Sequence, residues 1–340
     1  MNSFSLKKNK IKNTGVEVTE LSFGTSSLGS MPDTYGYEVS EERALETLSR
    51  FFEGPVNMLD TSRNYAMGES EKRIGSAIKK IGGWPKNFVL STKIDRDMKT
   101  LVLDKKRTRE SIEESLKTMS VDKVDLLFLH DPEYVKDIND IKKKDGAFDE
   151  LFKLKEEGLT KAVGLAMGKI DLMFPMIKNW DFDVLINHNR YTLLNREANE
   201  MYDYAYSKNI AIINAAPYAG GVLAKGPSNF KKITYQDVSE EKLAPAREIE
   251  KICKKYNIEI GAVALQFSLK DERISSTLCG VTSVKSIDKN LEWASTKIPS
   301  ECWSEILRLP FSSKDPEAVS YTHLRAHETV LDLVCRLLLE

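Results

Sequence analysis

Short runs of aliphatic and β-branched residues alternate along this chain with segments in which apolar residues recur every three or four positions. The first pattern is typical of buried strands, and the second of helices that bury one face. Strands are predicted at Val18–Thr25, Asn57–Ser62, Phe88–Lys93, Val124–Asp131, Lys161–Met167, Asp183–Asn189, Ile210–Pro217 and Ser276–Val281. Because each run is followed by a helical pattern, the simplest fold is an α/β fold in which the strands close into a (β/α)8, or TIM, barrel.

Two of the helical segments have readable signals. Ser40–Glu53 begins with a serine suited to cap the helix, with Arg43 near the capping-box position. Thr108–Met119 carries Ile112 and Leu116 at helical spacing. Both segments are predicted to be helices on the outside of the barrel.

Two further segments fall outside the repeat. Phe4–Leu6 and Ile11, with Val16, flank an Asn-Thr-Gly turn, which predicts an N-terminal β-hairpin placed to plug one barrel end. The stretch from Ala224 to Lys270 is too long for one crossover and holds two helical patterns, Lys242–Tyr256 and Ile260–Leu269. An extra helix near the C-terminus, or a substrate-side loop, is expected there.

Composition narrows the class of protein. The 340 residues are 41% hydrophobic and 30% charged, which fits one large α/β domain. Lysine plus arginine number 50 against 51 acids, so no overall field favours nucleic acid or an anionic membrane. The lysine-rich start contains no apolar signal core. We expect a cytoplasmic protein whose partner is a small molecule.

The end of the chain looks appended to that domain. We assign residues 1–319 to the barrel and interpret 320–340 as a non-native tail, because its run Ser-Tyr-Thr-His-Leu-Arg-Ala-His-Glu-Thr resembles library adapter sequence read through as coding. The alternative is a native C-terminal helix.

Several kinds of site have no support in the sequence. The cysteines, Cys253, Cys279, Cys302 and Cys335, are scattered without the paired spacing of a zinc site or a disulfide framework, so we expect reduced thiols and no metal. Neither a P-loop nor a G-x-G-x-x-G turn occurs. A dinucleotide, if bound, is held without a Rossmann turn.

Polar residues lie at the C-terminal ends of three neighbouring predicted strands. Asp60 lies near the end of the second predicted strand with Tyr65 in the following loop, Lys93 ends the third, and His130 with Asp131 ends the fourth. In a parallel barrel, catalytic groups lie at these strand ends. We therefore expect Asp60, Tyr65, Lys93 and His130 to converge on one side of the barrel mouth.

These four side chains are suited to proton transfer. A lysine inside an apolar strand needs a partner charge, which Asp60 supplies, and the cation is expected to lower the pKa of Tyr65 so that it acts as general acid or base. His130 would orient and polarise a carbonyl oxygen. Each residue also has a structural interpretation, as a turn residue, a solvated strand end or a core histidine. His188, in mid-strand, is equally compatible with a structural role.

The motifs around these positions resemble the aldo/keto reductase signature. They are Asp60-Thr61-Ser62, Tyr65, Gly68-Glu69-Ser70-Glu71, Ser91-Thr92-Lys93 and Leu129-His130-Asp131-Pro132. The resemblance runs from about Val16 to Phe311. It implies a catalytic tetrad of Asp60, Tyr65, Lys93 and His130, and a cofactor, NADP or NAD, bound extended across the barrel mouth.

Finer motifs are similar to one branch of that family, the aldose 1-dehydrogenases acting on D-threo-aldoses or L-fucose, with pyridoxal dehydrogenase nearby. They are His130-Asp131-Pro132-Glu133, Asn189-Arg190-Tyr191-Thr192-Leu193-Leu194 and Gly220-Gly221-Val222-Leu223-Ala224. This similarity implies oxidation of an aldose at C1 to the lactone. Three alternatives stay open: a general NADPH-dependent aldehyde or ketone reductase, a pyridoxal dehydrogenase, and a non-catalytic NAD(P)H-binding regulatory barrel.

The resemblance also implies a set of cofactor contacts. They are Gly24, Thr25, His188, Pro217, Gly280, Thr282, Lys285 and Asn290. His188 stands where a glutamine often meets the carboxamide, Ala215 where a tyrosine usually stacks on the nicotinamide, and Ser286 where an arginine often grips the 2′-phosphate. A helix beginning near Ser286 offers free N–H groups to phosphate, with Lys285 able to add a positive charge. An ordinary strand-to-helix turn is the alternative.

Overall fold

A computed structural model of the protein describes residues 5–318. Numbered in chain order, its strands are β1 Lys8–Ile11, β2 Val16–Thr19, β3 Leu21–Gly24, β4 Met58–Asp60, β5 Val89–Ile94, β6 Leu126–His130, β7 Ala162–Met167, β8 Val184–His188, β9 Ala211–Ala215, β10 Lys232–Ile233, β11 Gln236–Asp237 and β12 Ile274–Gly280. Its helices are α1 Pro32–Tyr35, α2 Glu41–Phe52, α3 Glu69–Ile81, α4 Lys105–Met119, α5 Asn139–Lys142, α6 Ala147–Glu156, α7 Ile170–Asn179, α8 Asn199–Ser207, α9 Val222–Lys225, α10 Glu240–Lys255, α11 Ile260–Leu269, α12 Val284–Ser295 and α13 Ser300–Ile306. The tail proposed at 320–340 and Cys335 lie outside the described residues.

Eight parallel strands close into a barrel in the order β12-β3-β4-β5-β6-β7-β8-β9. Gly280 of β12 pairs with Gly24 of β3, and this contact closes the ring. The residues of β5, β6 and β7 are buried throughout, as expected for parallel strands covered on one side by helices and on the other by the barrel interior. The predicted (β/α)8 barrel is confirmed.

The N-terminal hairpin plugs the bottom of this barrel. β1 pairs antiparallel with β2, and Ile11, Val16 and Val18 join the interior cluster of the barrel. The side chain of Asn57 ties the plug down by accepting from the Thr19 backbone N–H at 2.7 Å. The prediction of a first barrel strand from Val18 to Thr25 was therefore wrong at its start, because the chain turns at Glu20 and the preceding residues belong to the plug. The first hairpin arm is Lys8–Ile11 rather than Phe4–Leu6, and Phe4 lies outside the described residues.

The predicted Ser40 cap is confirmed, whereas the start of α4 differs from the prediction. Ser40 accepts from the Arg43 N–H at 3.2 Å at the start of α2. α4 begins earlier than predicted, because the Asp104 side chain accepts from the Arg107 N–H at 2.8 Å and caps the helix there. The long segment between β9 and β12 holds both predicted helices, α10 and α11, and also the small β10–β11 hairpin.

The described chain carries few signs of other site types. Between residues 5 and 318, no helix is long and apolar enough to cross a membrane. Over the same range, no group of three or more His, Cys, Asp or Glu side chains is arranged to hold a metal ion. Cys253, Cys279 and Cys302 are buried and free. The cytoplasmic location stays a prediction.

Candidate active site

The four predicted catalytic residues meet at the C-terminal ends of β4, β5 and β6. The Lys93 ammonium donates to Asp60 Oδ2 at 2.6 Å, to the Thr61 carbonyl at 2.7 Å and to the Tyr65 hydroxyl oxygen at 3.0 Å. An ammonium has three protons, and all three are used here. The tyrosine oxygen therefore accepts from lysine, which leaves its own proton free to be donated to another group.

Asp60 and Lys93 form a fully buried ion pair, with side chains 1% and 2% exposed. The second carboxylate oxygen of Asp60 accepts from the Ser91 hydroxyl at 2.7 Å. A buried charge is tolerated only when it is paired and hydrogen-bonded, and both conditions are met. Ser91 belongs to the motif that ends at Lys93, but its contact with Asp60 was not predicted from the sequence.

Tyr65 reaches this pair because the chain reverses sharply after it. Ala66, Met67 and Gly68 all adopt left-handed conformations, with φ values of 50°, 54° and 94°. Left-handed residues other than glycine cost roughly 1–2 kcal/mol each. The φ of Gly68 favours glycine on conformational grounds, and a Cβ there would also displace the Arg63 guanidinium. The turn holds the tyrosine over the ends of β4 and β5.

The structure overturns one electrostatic expectation for Tyr65. Burial and the nearby Asp60 carboxylate raise the pKa of Tyr65 well above 10, whereas the lysine was expected to lower it. The physical reason is that Asp60 neutralises Lys93, so the pair presents little net charge and burial dominates. The neutral hydroxyl is the resting form of Tyr65.

His130 is held by a carboxylate that the sequence analysis missed. Its Nδ1 lies 2.6 Å from Asp95 Oδ1, and the Tyr65 ring meets the imidazole edge-on at a centroid distance of 5.8 Å. Burial lowers the pKa of His130, but the Asp131 and Asp95 carboxylates outweigh it, so the pKa lies above its usual value. Asp95 stands two positions after Lys93, and an acid at a strand end is a signal that could have found it.

A cavity of about 590 Å³ opens above these groups. The four catalytic candidates line its base, and Tyr35, Tyr37 and Tyr235 contribute aromatic surface from the loop after β3 and the segment between β10 and β11. The Tyr35 and Tyr235 rings pack edge to face at 5.7 Å. These tyrosines were not predicted, although the long segment after β9 had been expected to supply a substrate-side loop.

Comparison with known proteins decides the family. The aldo/keto reductase family profile matches residues 20–309, nearly the whole described barrel. The chain belongs to the aldo/keto reductase family.

Two curated relatives of this reductase are sugar dehydrogenases. L-galactose dehydrogenase of Arabidopsis thaliana is 30% identical over 86% of this chain and 91% of its own. D-threo-aldose 1-dehydrogenase of a Pseudomonas species is 27% identical over 86% of this chain and 94% of its own. A solved aldo-keto reductase of Bacillus halodurans in its holo form superposes with a TM-score of 0.74 at 20% identity, covering 91% of this chain and 97% of that one. The protein is an NAD(P)-dependent oxidoreductase.

The residues present fit an extended dinucleotide in this reductase. Gly24 and Gly280 lie side by side at the barrel rim, and a Cβ on Gly280 would meet nothing within 4 Å, so the backbone there faces an open groove. Ala215, a position that the family resemblance aligns with a tyrosine, supplies a small apolar wall. Asp131 lines the cavity. Its Oδ1 is buried and has no hydrogen-bond partner in the described chain. It is an acceptor for an amide N–H or a hydroxyl.

The predicted cofactor contacts divide into two groups. Gly24, His188, Pro217, Gly280 and Thr282 line the cavity. The other three are not brought to it, and all eight stay predictions as cofactor contacts. These three are Thr25, which is buried and donates to the Asp60 carbonyl; Lys285, which is exposed on α12; and Asn290, whose amide bonds to Tyr218 and Ser286.

The start of α12 is already capped by its own serines. Ser283 accepts from the Ser286 N–H at 3.2 Å, and the Ser286 hydroxyl accepts from the N–H groups of Thr282 and Ser283. The helix begins at Val284, two residues before the predicted start. A phosphate at this turn would compete with Ser286 for those two donors.

His188 is tied to the C-terminal segment of the described chain. Its Nδ1 lies 3.6 Å from Glu317 Oε1, and Glu317 also pairs with the fully buried Arg190 at 2.9 Å. Burial lowers the pKa of His188, but Glu317 outweighs it, so the net shift is upwards. The sequence offered no signal for this contact, because the two residues are far apart along the chain.

Proposed function

We propose that this aldo/keto reductase oxidises an aldose at C1 to the lactone. The observation that carries the proposal is the lining of the cavity above Tyr65. The unpartnered carboxylate oxygen of Asp131 is suited to accept from a sugar hydroxyl, and the rings of Tyr35 and Tyr235 are suited to pack against the apolar face of a pyranose. The similarity to L-galactose and D-threo-aldose dehydrogenases supports the same substrate class.

A bound nicotinamide would supply the acceptor for the C1 hydrogen and its electron pair. The chain must orient the anomeric hydroxyl and receive its proton. Tyr65 is the group for both tasks, because its oxygen is fixed by Lys93 at 3.0 Å and its own hydrogen is directed away from the lysine.

We further propose NAD⁺ as the better acceptor. Ser286 stands where a guanidinium would grip a 2′-phosphate, and its hydroxyl is committed to the α12 cap. Without a forked cation at that position, the extra phosphate gains little.

The test is absorbance in the reduced-nicotinamide band with purified protein, NAD⁺ or NADP⁺, and a panel of L-galactose, L-fucose and D-arabinose. We expect the signal to grow with at least one free aldose and to be greater with NAD⁺. The matched control is the methyl glycoside of the same sugar, whose blocked anomeric oxygen cannot lose a proton. Silence with every sugar, together with consumption of NADPH by simple aldehydes, would instead assign the protein to the general reductases.

A further inference from the structure

Asp95 is the most thoroughly anchored carboxylate at the barrel mouth. Its Oδ2 accepts from the Ser62 hydroxyl at 2.6 Å and from the Asn64 N–H at 2.9 Å. Its own backbone N–H donates to the Ser111 hydroxyl at 2.9 Å. Its other oxygen, Oδ1, faces Nδ1 of His130 at 2.6 Å. The side chain is 3% exposed, so water does not share these contacts.

These contacts determine which nitrogen of His130 carries the proton. Burial raises the pKa of Asp95, but His130, Ser62 and Asn64 lower it further, so the carboxylate is ionised and can only accept. The Ser62 proton is already directed at Oδ2. The proton between Asp95 and His130 must therefore lie on Nδ1, which leaves Nε2 facing the cavity.

We propose that Asp95 is a positioning residue that holds His130 with Nε2 bare, so that His130 is the final acceptor of the proton released in the oxidation. This inference rests on the proposed function. The substrate hydroxyl proton passes to the Tyr65 oxygen as the Tyr65 proton passes to Nε2, while the C1–H electron pair leaves with its hydrogen to the nicotinamide. The products are the lactone, the reduced cofactor and an imidazolium paired with Asp95.

This arrangement answers a difficulty raised by Tyr65. A tyrosine that stays protonated cannot by itself absorb the proton of a sugar hydroxyl, and it must pass one on. The groups that face the His130 ring are Lys93 of β5, Asp95 directly after β5, Asp131 after β6, and Tyr65 after β4. Two of these are carboxylates, and they stabilise the imidazolium more than Lys93 opposes it. Asp131 Oδ2 lies 3.6 Å from Nε2, too far for a hydrogen bond, so that nitrogen stays available.

Asp95→Asn is a sharp test because the surroundings dictate how the amide must lie. Ser62 and Asn64 both donate towards the Oδ2 position, so the asparagine oxygen takes that side and its NH₂ group faces Nδ1 of His130. The NH₂ group donates, so the imidazole must move its proton to Nε2. The imidazole ring then keeps its position, but Nε2 can no longer accept a proton.

The readouts are nitrogen NMR of ¹⁵N-histidine protein, with His130 assigned through His130→Gln, and the pH profile of sugar oxidation. In the unmodified protein we expect neutral His130 to carry its proton on Nδ1, and kcat/KM to rise through an acidic limb. In Asp95→Asn we expect the proton on Nε2, loss of that limb, and a fall in kcat of about 100- to 10,000-fold with unchanged cofactor affinity. The matched control is Asp122→Asn on the exposed surface, expected to keep the wild-type limb.

Two results would overturn the proposal: a proton on Nε2 in the unmodified protein, or a wild-type pH profile in a folded Asp95→Asn variant. The first does not depend on Asp95→Asn, so failure of that variant to fold does not remove the test. Failure of the proposed function is distinguishable, because it appears as absent sugar turnover in the unmodified protein while the NMR result still stands.

Discussion

Replacing Lys93 by methionine is expected to destabilise the protein. The main cause is the unpaired charge left on the buried Asp60 carboxylate, and the loss of the lysine hydrogen bonds is secondary. The side chains are 2% and 1% exposed, and the ammonium supplies the only partner of Asp60 Oδ2 among the described residues, at 2.6 Å. Breaking a buried pair on one side costs about 3–5 kcal/mol, because it leaves an uncompensated buried charge. Removing the charge as well, in Asp60→Asn/Lys93→Met, should recover at least about 2 kcal/mol, since the Ser91 hydroxyl still finds an acceptor at residue 60.

The assay is equilibrium unfolding in urea followed by tryptophan fluorescence, with thermal unfolding as a check. With an unfolding entropy of about 2.1 cal/mol/K per residue, 3–5 kcal/mol corresponds to a Tm lower by roughly 4–7 °C for a chain of this size. The matched control is Lys251→Met, where the side chain is 78% exposed and a change within about 0.5 kcal/mol is expected. If Lys93→Met were as stable as the wild type, or the double variant less stable than the single one, the account of the pair as a charge-compensated unit would be refuted.

Two other predictions concern proton transfer and pH. Tyr65→Phe should lower kcat by about 100- to 10,000-fold, because the hydroxyl that transfers the proton is lost. Since the ring contact to His130 remains, fluorescence titration should give an unchanged cofactor Kd. A variant that retains a substantial fraction of turnover would contradict the role of Tyr65. Burial raises the pKa of Glu71 from 4.5 to about 7, and Thr92 donates to one of its oxygens at 2.6 Å. A raised carboxyl pKa favours the protonated form, so its stabilising contribution is complete below pH 4.5 and is lost as pH rises through 7. Glu71→Gln should therefore raise the free energy of unfolding by up to about 3 kcal/mol above pH 7 and change it little at acidic pH; an equal effect at both pH values would contradict this assignment.

The positions of residues at strand ends predict some features of the site and not others. Asp60, Lys93 and His130 were predicted to converge because parallel strands place their C-terminal ends on one face, and the structure brings them together. The same reasoning did not give the pKa direction of Tyr65. That direction depends on how completely the Asp60 carboxylate neutralises the Lys93 ammonium. The distance between these two groups is set by the folded structure.

Contacts between segments that are distant along the chain could not be predicted from the sequence. The Asp95 carboxylate and His130 are 35 positions apart, and neither strand pattern reports where their side chains point. Glu317 meets His188 from a segment without strand or helix signals. Asn290 illustrates the converse case: the family resemblance implied a cofactor contact there, and the structure shows its amide bonded to Tyr218 and Ser286 inside the protein.

The sequence by itself determined the barrel, the order of its strands and the four polar side chains at its mouth, because burial periodicity and strand-end position are local properties of the chain. Tertiary structure alone decided where the first strand begins, which tyrosines wall the cavity, and which nitrogen of His130 is bare. Those features depend on side-chain direction and on charges brought together by closure of the ring. Neither is encoded in the spacing of residues along one segment.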